Sequence, residues 1–512
     1  MVTRTMTDEG SVSSTDLEDG SMSFMMYIAG EPTVSESGET YTVTNPATGK
    51  ALGEMPAGTR TDAQRAIDAA REVKEDLEFM TAFERAELCH ELADTIESSR
   101  DSLAEWLTRD QGKPLTEAKV EVDLCAKEFR NAAEDVKRDE TDVIPSEDSG
   151  KHIYTIRKPH GVLGVITPWN FPLNIPAEYI APGLAAGNSI VWVPAPTTSV
   201  IAIKLLEVFS DTSLPDGALN LVTGEGPVVG NELVVNDGTD VIGFTGSPET
   251  GEAIARDAGT KPTLLELGGN GPVIILDDAN LDAAVECTSS GCFNNTGQIC
   301  SASERILVHE DVHDEFVDHI ADHAQQLTLG DPTAEETDLG PLNNDGVADK
   351  MDHHIEDATE QGATVVTGGG RADNMPTDRY YQPTVLDDVT TEMTVNWEES
   401  FGPIAPIITF SSYDEAIAIA NEIDLGLTSS VFTSNIELMY YFAERVETGI
   451  VNINDSSAYW EIHTPFGGYS GKNSGNGRIG GKYSLEQLSQ VKTIAVDYEN
   501  AASPLNRENE RE

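Results

Sequence analysis

The sequence predicts an α/β protein in which two doubly wound parallel sheets follow one another along the chain. Two observations carry this. Between residues 161 and 260, short uninterrupted apolar runs alternate with stretches of helical periodicity, and a second alternation of the same kind begins at Pro272. An uninterrupted apolar run suits a strand covered on both faces, and strand–helix alternation is the rhythm of crossover connections in a parallel sheet. At 512 residues the chain is long enough for two or three units with sizeable cores. It contains no apolar run of the ~18 residues that would suggest a membrane span.

Taken in order, residues 1–22 are rich in Ser, Thr, Asp and Glu, with neither a basic start nor an apolar stretch. They read as a disordered extension reaching residue 24, not as a signal peptide, and Met25-Met26 leaves a later start open. Residues 27–54 read as short strands, with Asn45-Pro46-Ala47-Thr48-Gly49 as a turn. From Thr61 the period becomes helical: Asp62 is the expected cap, and Ala63, Ala66, Ile67, Ala70 and Val73 recur at helical spacing. Leu88, Leu92 and Ile96 mark a second helix, and 115–136 a third. Residues 151–158 form a polar–apolar strand, with 139–145 as its hairpin mate. The first series then has strands at 161–166, 189–193, 218–222 and 241–244, with helices at about 200–210, 227–236 and 250–258. The second has strands at 272–276, 305–309, 404–410, 429–433 and 449–454, with helices at 311–327 and 414–421. The boundary between them falls near Gly268-Gly269, and the tail beyond Asp497 is polar and reads as disordered.

Asp and Glu number 89 against 32 Lys and Arg, a formal net charge of -57, and the acids are spread along the whole chain. Such a surface repels polyanions, which excludes nucleic acid and anionic membrane as partners. Self-repulsion on this scale weakens a compact fold at low ionic strength and is screened at molar salt, where the Debye length is about 3 Å. A halophilic cytoplasm is the natural setting. Five cysteines, Cys89, Cys125, Cys287, Cys292 and Cys300, form no C-x-x-C and no paired framework, which points to reduced thiols and gives no metal site.

One of those thiols stands apart. Cys300 sits in Phe293-Asn294-Asn295-Thr296-Gly297-Gln298-Ile299-Cys300-Ser301, a polar segment unlike the apolar setting of a packed cysteine. Backbone amides and small polar groups around the sulfur favour the thiolate, the form that attacks carbonyls. Upstream, Thr263-Leu264-Leu265-Glu266-Leu267-Gly268-Gly269-Asn270 sets a carboxylate inside an apolar run, where it is either solvated at a strand edge or partly desolvated, with a pKa raised toward that of a base working near neutrality. Further upstream, Pro168-Trp169-Asn170-Phe171-Pro172 holds an amide on a stiff loop. Two turns follow strands and open helices: Gly224-Glu225-Gly226-Pro227-Val228-Val229-Gly230, one residue longer than the usual dinucleotide fingerprint, and Phe244-Thr245-Gly246-Ser247-Pro248-Glu249-Thr250-Gly251. Free amides at a helix N-terminus suit a pyrophosphate.

These stretches, in this order and in register with Glu398-Glu399-Ser400-Phe401-Gly402-Pro403, resemble the aldehyde dehydrogenase superfamily, in a haloarchaeal type, from about Tyr27 to Val496. The resemblance implies that Cys300 is the nucleophile, Glu266 the base that activates the hydrolytic water, and Asn170 an oxyanion donor alongside the Cys300 N–H. It implies NAD or NADP as cofactor, held by Ile166, Trp169, Gly226, Phe244, Gly246, Ser247 and Leu267, with Glu399 and Phe401 at the nicotinamide ribose. Phe171, Trp460 and Phe466, the last in Pro465-Phe466-Gly467-Gly468-Tyr469, become walls of the aldehyde pocket. A Rossmann-like cofactor domain (25–138 and 160–267), a catalytic domain (268–482) and a small oligomerisation β arm (139–159 and 483–498) follow from it, as does a homodimer or homotetramer. From the residues alone, 139–159 reads equally as an edge hairpin.

The chain departs from the common pattern in several places. Val193-Pro194-Ala195-Pro196 replaces a Lys-Pro-Ser-Glu type stretch that contacts the adenosine ribose. Tyr179 and Ile479 stand where many members have a lysine and a glutamate able to relay protons, and 470–478 is two residues longer than usual. Similar departures occur in branches that oxidise aromatic aldehydes. The reading is NAD(P)-dependent oxidation of an aldehyde to a carboxylic acid through a thiohemiacetal and a thioester. Its rivals are a CoA-acylating semialdehyde dehydrogenase, which Glu266 argues against because that reaction needs no water-activating base, and a non-catalytic binding protein of the same fold.

Overall fold

The computed structural model describes residues 14–16 and 22–498. The apolar runs form two separate, mostly parallel sheets. The first has eight strands in the order Gly475–Asn476, Thr263–Leu267, Val241–Gly246, Val162–Ile166, Ser189–Val193, Leu219–Leu221, Met26–Ile28, Glu31–Thr33. Its five central strands are parallel and the flanking ones antiparallel. The chain order reverses between Val162–Ile166 and Val241–Gly246, and the crevice beyond the carboxyl ends of strands at such a switch is where open α/β sheets bind ligands. The second sheet runs Thr364–Thr367, Thr384–Asp387, Ile404–Phe410, Arg305–His309, Pro272–Ile275, Thr428–Phe432, Ile450–Ile453, parallel except for its first strand. Val162, Val165, Ile190, Trp192, Ile274 and Leu307 are fully buried, which is why these runs carry no alternation. The predicted two-sheet α/β class is what the structure has.

Ser489–Asp497, Lys151–Pro159 and Val143–Ile144 form a third, antiparallel sheet, so the hairpin mate of Lys151–Pro159 is there and a distant C-terminal strand joins it. A fourth sheet pairs Ser14–Asp16 with Met22–Phe24 and the latter with Ala51–Pro56, which pairs Thr40–Thr44. The disordered stretch expected over 1–24 is therefore ordered at those two strands. The rest of it, and the tail 499–512, lie outside the described residues.

Three helical expectations are corrected. The first helix, Arg60–Phe79, is capped by Thr59, not Asp62. Asp62 is its third residue and accepts the Thr59 N–H at 2.9 Å while Thr59 Oγ1 accepts the Asp62 N–H at 3.3 Å, a reciprocal box that satisfies both donors. An unforeseen helix, Arg100–Gln111, lies between the second and third, and ends at Gly112, whose φ of 105° a side chain would resist. The helix expected at 227–236 opens as a π-type turn, Gly226–Gly230, before Asn231–Val235. Among the described residues no helix is long and apolar enough to cross a membrane.

Candidate active site

Helix Leu281–Phe293 delivers the chain to the Cys300 segment, which is not relaxed. Asn295, Thr296 and Gly297 all have positive φ, at 49°, 55° and 73°. A non-glycine residue held there costs on the order of 1 kcal/mol or more and persists only where its surroundings over-determine it. They do here. Glu117 Oε2 accepts the Asn295 N–H at 2.9 Å, Asn295 Nδ2 donates to Asn170 O at 3.0 Å, and Gln298 Nε2 donates to Asn295 O at 2.8 Å. Gly297 is enclosed, since a Cβ there would lie 2.1 Å from Gly402 O. Gly269 is equally bound to this loop: a Cβ on it would sit 2.2 Å from Cys300 O, so the pair after Glu266 packs directly on the thiol's backbone.

A cavity of about 470 Å3 brings together Cys300, Glu266, Leu267, Phe171, Trp460 and Phe466, along with Thr245, Glu178, Glu117 and Glu121. Glu266 lies on strand Thr263–Leu267, paired with Thr245 on one side and Gly475 on the other, so the long 470–478 segment returns as an edge strand against it. Glu266 is 3 % exposed and both its oxygens are unpartnered. Burial pushes its carboxyl well above the ordinary 4.5, opposed by the Arg478 charge. Of the two settings that Leu265 and Leu267 allow, a solvated strand edge and a desolvated one, the site has the second.

The expectation for Cys300 is reversed. Burial, then the carboxyls of Glu399, Glu178 and Glu266, push the thiol up; only its own backbone N–H opposes them. The polar letters around Cys300 hid the acids that other elements bring to it. Asn170 is 2 % exposed and outside the cavity lining. Its Nδ2 donates to Gln298 O at 3.0 Å, and its carbonyl accepts from Lys113 Nζ at 2.9 Å. One amide hydrogen is thereby committed, and the second remains for another acceptor.

A second cavity, of about 570 Å3, lies at the switch point and shares Thr245 with the first. Ile166, Gly226, Phe244, Gly246 and Ser247 line it, as do Val193, Pro194, Ala195 and Pro196. Ser247 caps helix Pro248–Asp257, and a Cβ on Gly226 would meet nothing within 4 Å; a helix N-terminus of this kind suits an anionic group. Of the other predicted cofactor residues, Leu267 lines the first cavity, while Trp169, Glu399 and Phe401 line neither. Trp169 meets Phe401 edge to face at 5.4 Å, and Glu399 Oε1 accepts the Gly269 N–H at 3.0 Å. Burial holds Glu399 up at about 7 against the Lys350 charge.

Sequence reading passed over the acids and their partners. Glu304 accepts the N–H groups of Ser400 and Phe401, each at 2.6 Å, and ties the Glu399 loop to the strand after Cys300. Lys113 and Glu121 form a fully buried pair at 2.6 Å. A signal existed: Glu117, Glu121, Leu124 and Glu128 recur on one face of helix Leu115–Val136, an acidic stripe beside the apolar one.

A thiol-bearing cavity that adjoins a second cavity at the switch point of a doubly wound sheet is an arrangement that suits an oxidoreductase of the nicotinamide-dependent class. Comparison with known proteins names the family. The model of the aldehyde dehydrogenase family matches residues 33–494. The chain is 38% identical over 479 residues to the alpha-ketoglutaric semialdehyde dehydrogenase of Bacillus subtilis, covering 92% of this chain and 98% of that one. It is 36% identical to the alpha-ketoglutarate semialdehyde dehydrogenase of Haloferax volcanii, covering 92% and 98%. A crystal structure of an E. coli NADP-dependent enzyme superposes with a TM-score of 0.90 at 37% identity, over 92% of this chain and 98% of that one. The chain belongs to the aldehyde dehydrogenase family, and it oxidises aldehydes with NAD or NADP.

Proposed function

We propose that this oxidation runs through Cys300, Asn170 and Glu266. Cys300 Sγ adds to the carbonyl carbon; the C–S bond forms, the carbonyl π pair moves onto oxygen, and the thiol proton passes to a base. The free N–H of Asn170 and the Cys300 N–H stabilise that oxygen, where one donor contributes roughly 3–4 kcal/mol. Ile166, Gly226, Phe244, Gly246 and Ser247, with Trp169, Leu267, Glu399 and Phe401, would hold NAD or NADP, which would supply the acceptor for the hydride that the adduct must lose. Glu266 then takes a proton from water, the hydroxide cleaves the thioester, and the carboxylic acid and thiol are released. Phe171, Trp460 and Phe466 wall the aldehyde's body.

The observation that carries this is Glu266: buried, unpartnered and in one cavity with Cys300. A carboxyl placed for stability would have partners. It also favours hydrolysis over transfer to CoA, which needs no such base. Cys300→Ala is expected to abolish turnover. Glu266→Gln is expected to slow it by orders of magnitude while leaving a single burst of reduced cofactor, since acylation proceeds and hydrolysis stalls. Stopped-flow absorbance of the reduced nicotinamide reads both, and normal turnover by Cys300→Ala would sink the mechanism.

Around this centre we assign 25–138 and 160–267 to the dinucleotide-binding unit, 268–482 to the catalytic unit, and 139–159 with 483–498 to an oligomerisation arm. Val143, Val491 and Val496 of the arm sheet are 86 %, 60 % and 43 % exposed, which supports a homodimer or homotetramer closed through it. The net charge of -57 supports a salt-rich cytoplasm as the working medium.

A further inference from the structure

The cavity that holds Cys300 and Glu266 has an unusual charge pattern for a family whose semialdehyde members act on carboxylate-bearing substrates. Among the residues lining it there are four glutamates, Glu117, Glu121, Glu178 and Glu266, and no lysine, arginine or histidine. Lys113 lies behind the wall and is already satisfied. Its Nζ donates to Glu121 Oε2 at 2.6 Å and to Asn170 O at 2.9 Å, and it sits 3.9 Å from the centre of the Phe171 ring, which faces the cavity. Arg478, whose charge is felt by Glu266, is also outside the lining and donates to Gly477 O at 2.6 Å.

Three of the four carboxyls have partners as well, and Glu266 has none. Glu117 receives the Asn295 N–H on both oxygens, at 2.9 and 3.2 Å. Glu121 receives Leu173 N at 2.8 Å, Asn174 N at 3.2 Å and the Lys113 ammonium. Glu178 Oε1 receives Asn174 Nδ2 at 2.8 Å, and its residue is 7 % exposed. A substrate carboxylate entering here would lose its water, meet no counter-charge and face acids on several sides; each of these costs free energy. A substrate cation would find Glu117 and Glu121 with their oxygens occupied and Glu178 buried with Asn174 on one oxygen. What remains is an apolar wall. Trp460 and Phe466 meet edge to face at 5.2 Å, and Phe171, Ile175, Ile299 and Ile462 complete it.

Resting on the reading that the aldehyde reacts at the Cys300 end of this cavity, we propose that the site takes uncharged aldehydes with an apolar body, aryl or alkyl, and rejects aldehydes that carry a carboxylate. The substrates named for the Bacillus and Haloferax relatives then do not transfer to this chain. The residues that decide it are the buried Lys113–Glu121 pair, which ties up a cation close to the wall, and Glu178, which adds a buried carboxyl to it.

The test uses the full-length protein in molar KCl with NAD and with NADP, and four probes: benzaldehyde, hexanal, succinic semialdehyde and betaine aldehyde. Both neutral probes are expected to exceed succinic semialdehyde at least tenfold in kcat/KM, mainly through KM, and to exceed betaine aldehyde. Ile462→Arg, which adds a cation to the wall, is expected to shift the ratio toward succinic semialdehyde at least tenfold. Protection of Cys300 from iodoacetamide reports binding without turnover: benzaldehyde should protect at concentrations where succinic semialdehyde does not. A semialdehyde within tenfold of benzaldehyde in kcat/KM, or betaine aldehyde ahead of both neutral probes, overturns the proposal while leaving the oxidation reading intact. Selective protection by benzaldehyde with no turnover of any probe would support the cavity's preference and overturn the oxidation reading instead.

Discussion

Glu266 and Cys300 both bear the cost of burial, and each shows it differently. The Glu266 carboxyl has a native pKa well above its ordinary 4.5. Below the ordinary value both folded and unfolded chains hold the proton and the group is neutral to stability. As pH rises past it the unfolded chain ionises while the native one resists, so the penalty grows until the native pKa is reached. Glu266→Gln is therefore expected to raise the melting temperature at pH 8 relative to the parent and to leave it unchanged near pH 4, even as turnover falls. Equal melting curves at pH 8 would show that the carboxyl is solvated. Cys300 is raised above its ordinary 9.0, so its thiolate fraction in the cofactor-free protein is small at neutrality. Its alkylation rate by iodoacetamide, followed by peptide mass spectrometry, is expected to be still climbing at pH 10, with no plateau near 9. A plateau at or below pH 8 would mean that the acids around it do not set its reactivity.

At the scale of elements, the short turn Pro196–Thr198 at the carboxyl end of strand Ser189–Val193 forms one lip of the dinucleotide cavity. Three hydroxyls, on Thr197, Thr198 and Ser199, follow Pro196 in sequence and look available to a 2′-phosphate. Only Thr197 is exposed; Thr198 is buried, and Ser199 Oγ donates to Pro196 O at 3.0 Å. The lip thus offers neither the glutamate that would bar a 2′-phosphate nor the lysine that would attract one. No lysine or arginine lines the rest of the cavity, where Glu249 and Asp257 stand. Both cofactors are expected to support turnover, with kcat/KM values within about a hundredfold, or ~2.7 kcal/mol. Pro196→Glu is expected to move the ratio toward NAD by about tenfold or more, since a charge-assisted hydrogen bond contributes roughly 1.5–3 kcal/mol. Steady-state kinetics with both cofactors on parent and variant decide it; a shift toward NADP would place the choice elsewhere.

The whole molecule carries its -57 charge with much of it at the surface, and its arm sheet exposes Val143, Val491 and Val496. Closing an interface through that sheet brings two such charges together. Lowering KCl from molar to about 0.1 M lengthens the Debye length from about 3 to about 10 Å and unmasks the repulsion. Melting temperature, oligomer mass by light scattering and activity are expected to fall together. A melting temperature that stays flat across that range would rule out a salt-dependent fold.

The sequence by itself determined the secondary-structure alternation and the two-sheet class, because burial on both faces and tight turns leave local signatures. Strands Ser189–Val193, Arg305–His309 and Ile404–Phe410 coincide with the apolar runs. The Gly-Gly pair after Glu266 and the Gly before Gln298 mark places where backbones touch, and those are visible one residue at a time. Only tertiary structure decided the charge around the thiol. Glu117 and Glu121 on one helix, Glu178 on another, and Glu399 on a loop of the second sheet are far apart in sequence, and each alone is one acid among 89. The effect of Glu178 and Glu399 on Cys300 depends on distance and shared burial, which fall off within a few ångströms and leave no trace in local spacing. The commitment of Asn170 to Gln298, the withdrawal of Lys113 into an ion pair and the absence of a cation from the lining of the Cys300 cavity are of the same kind: they are properties of the packed arrangement, and folding alone brings them about.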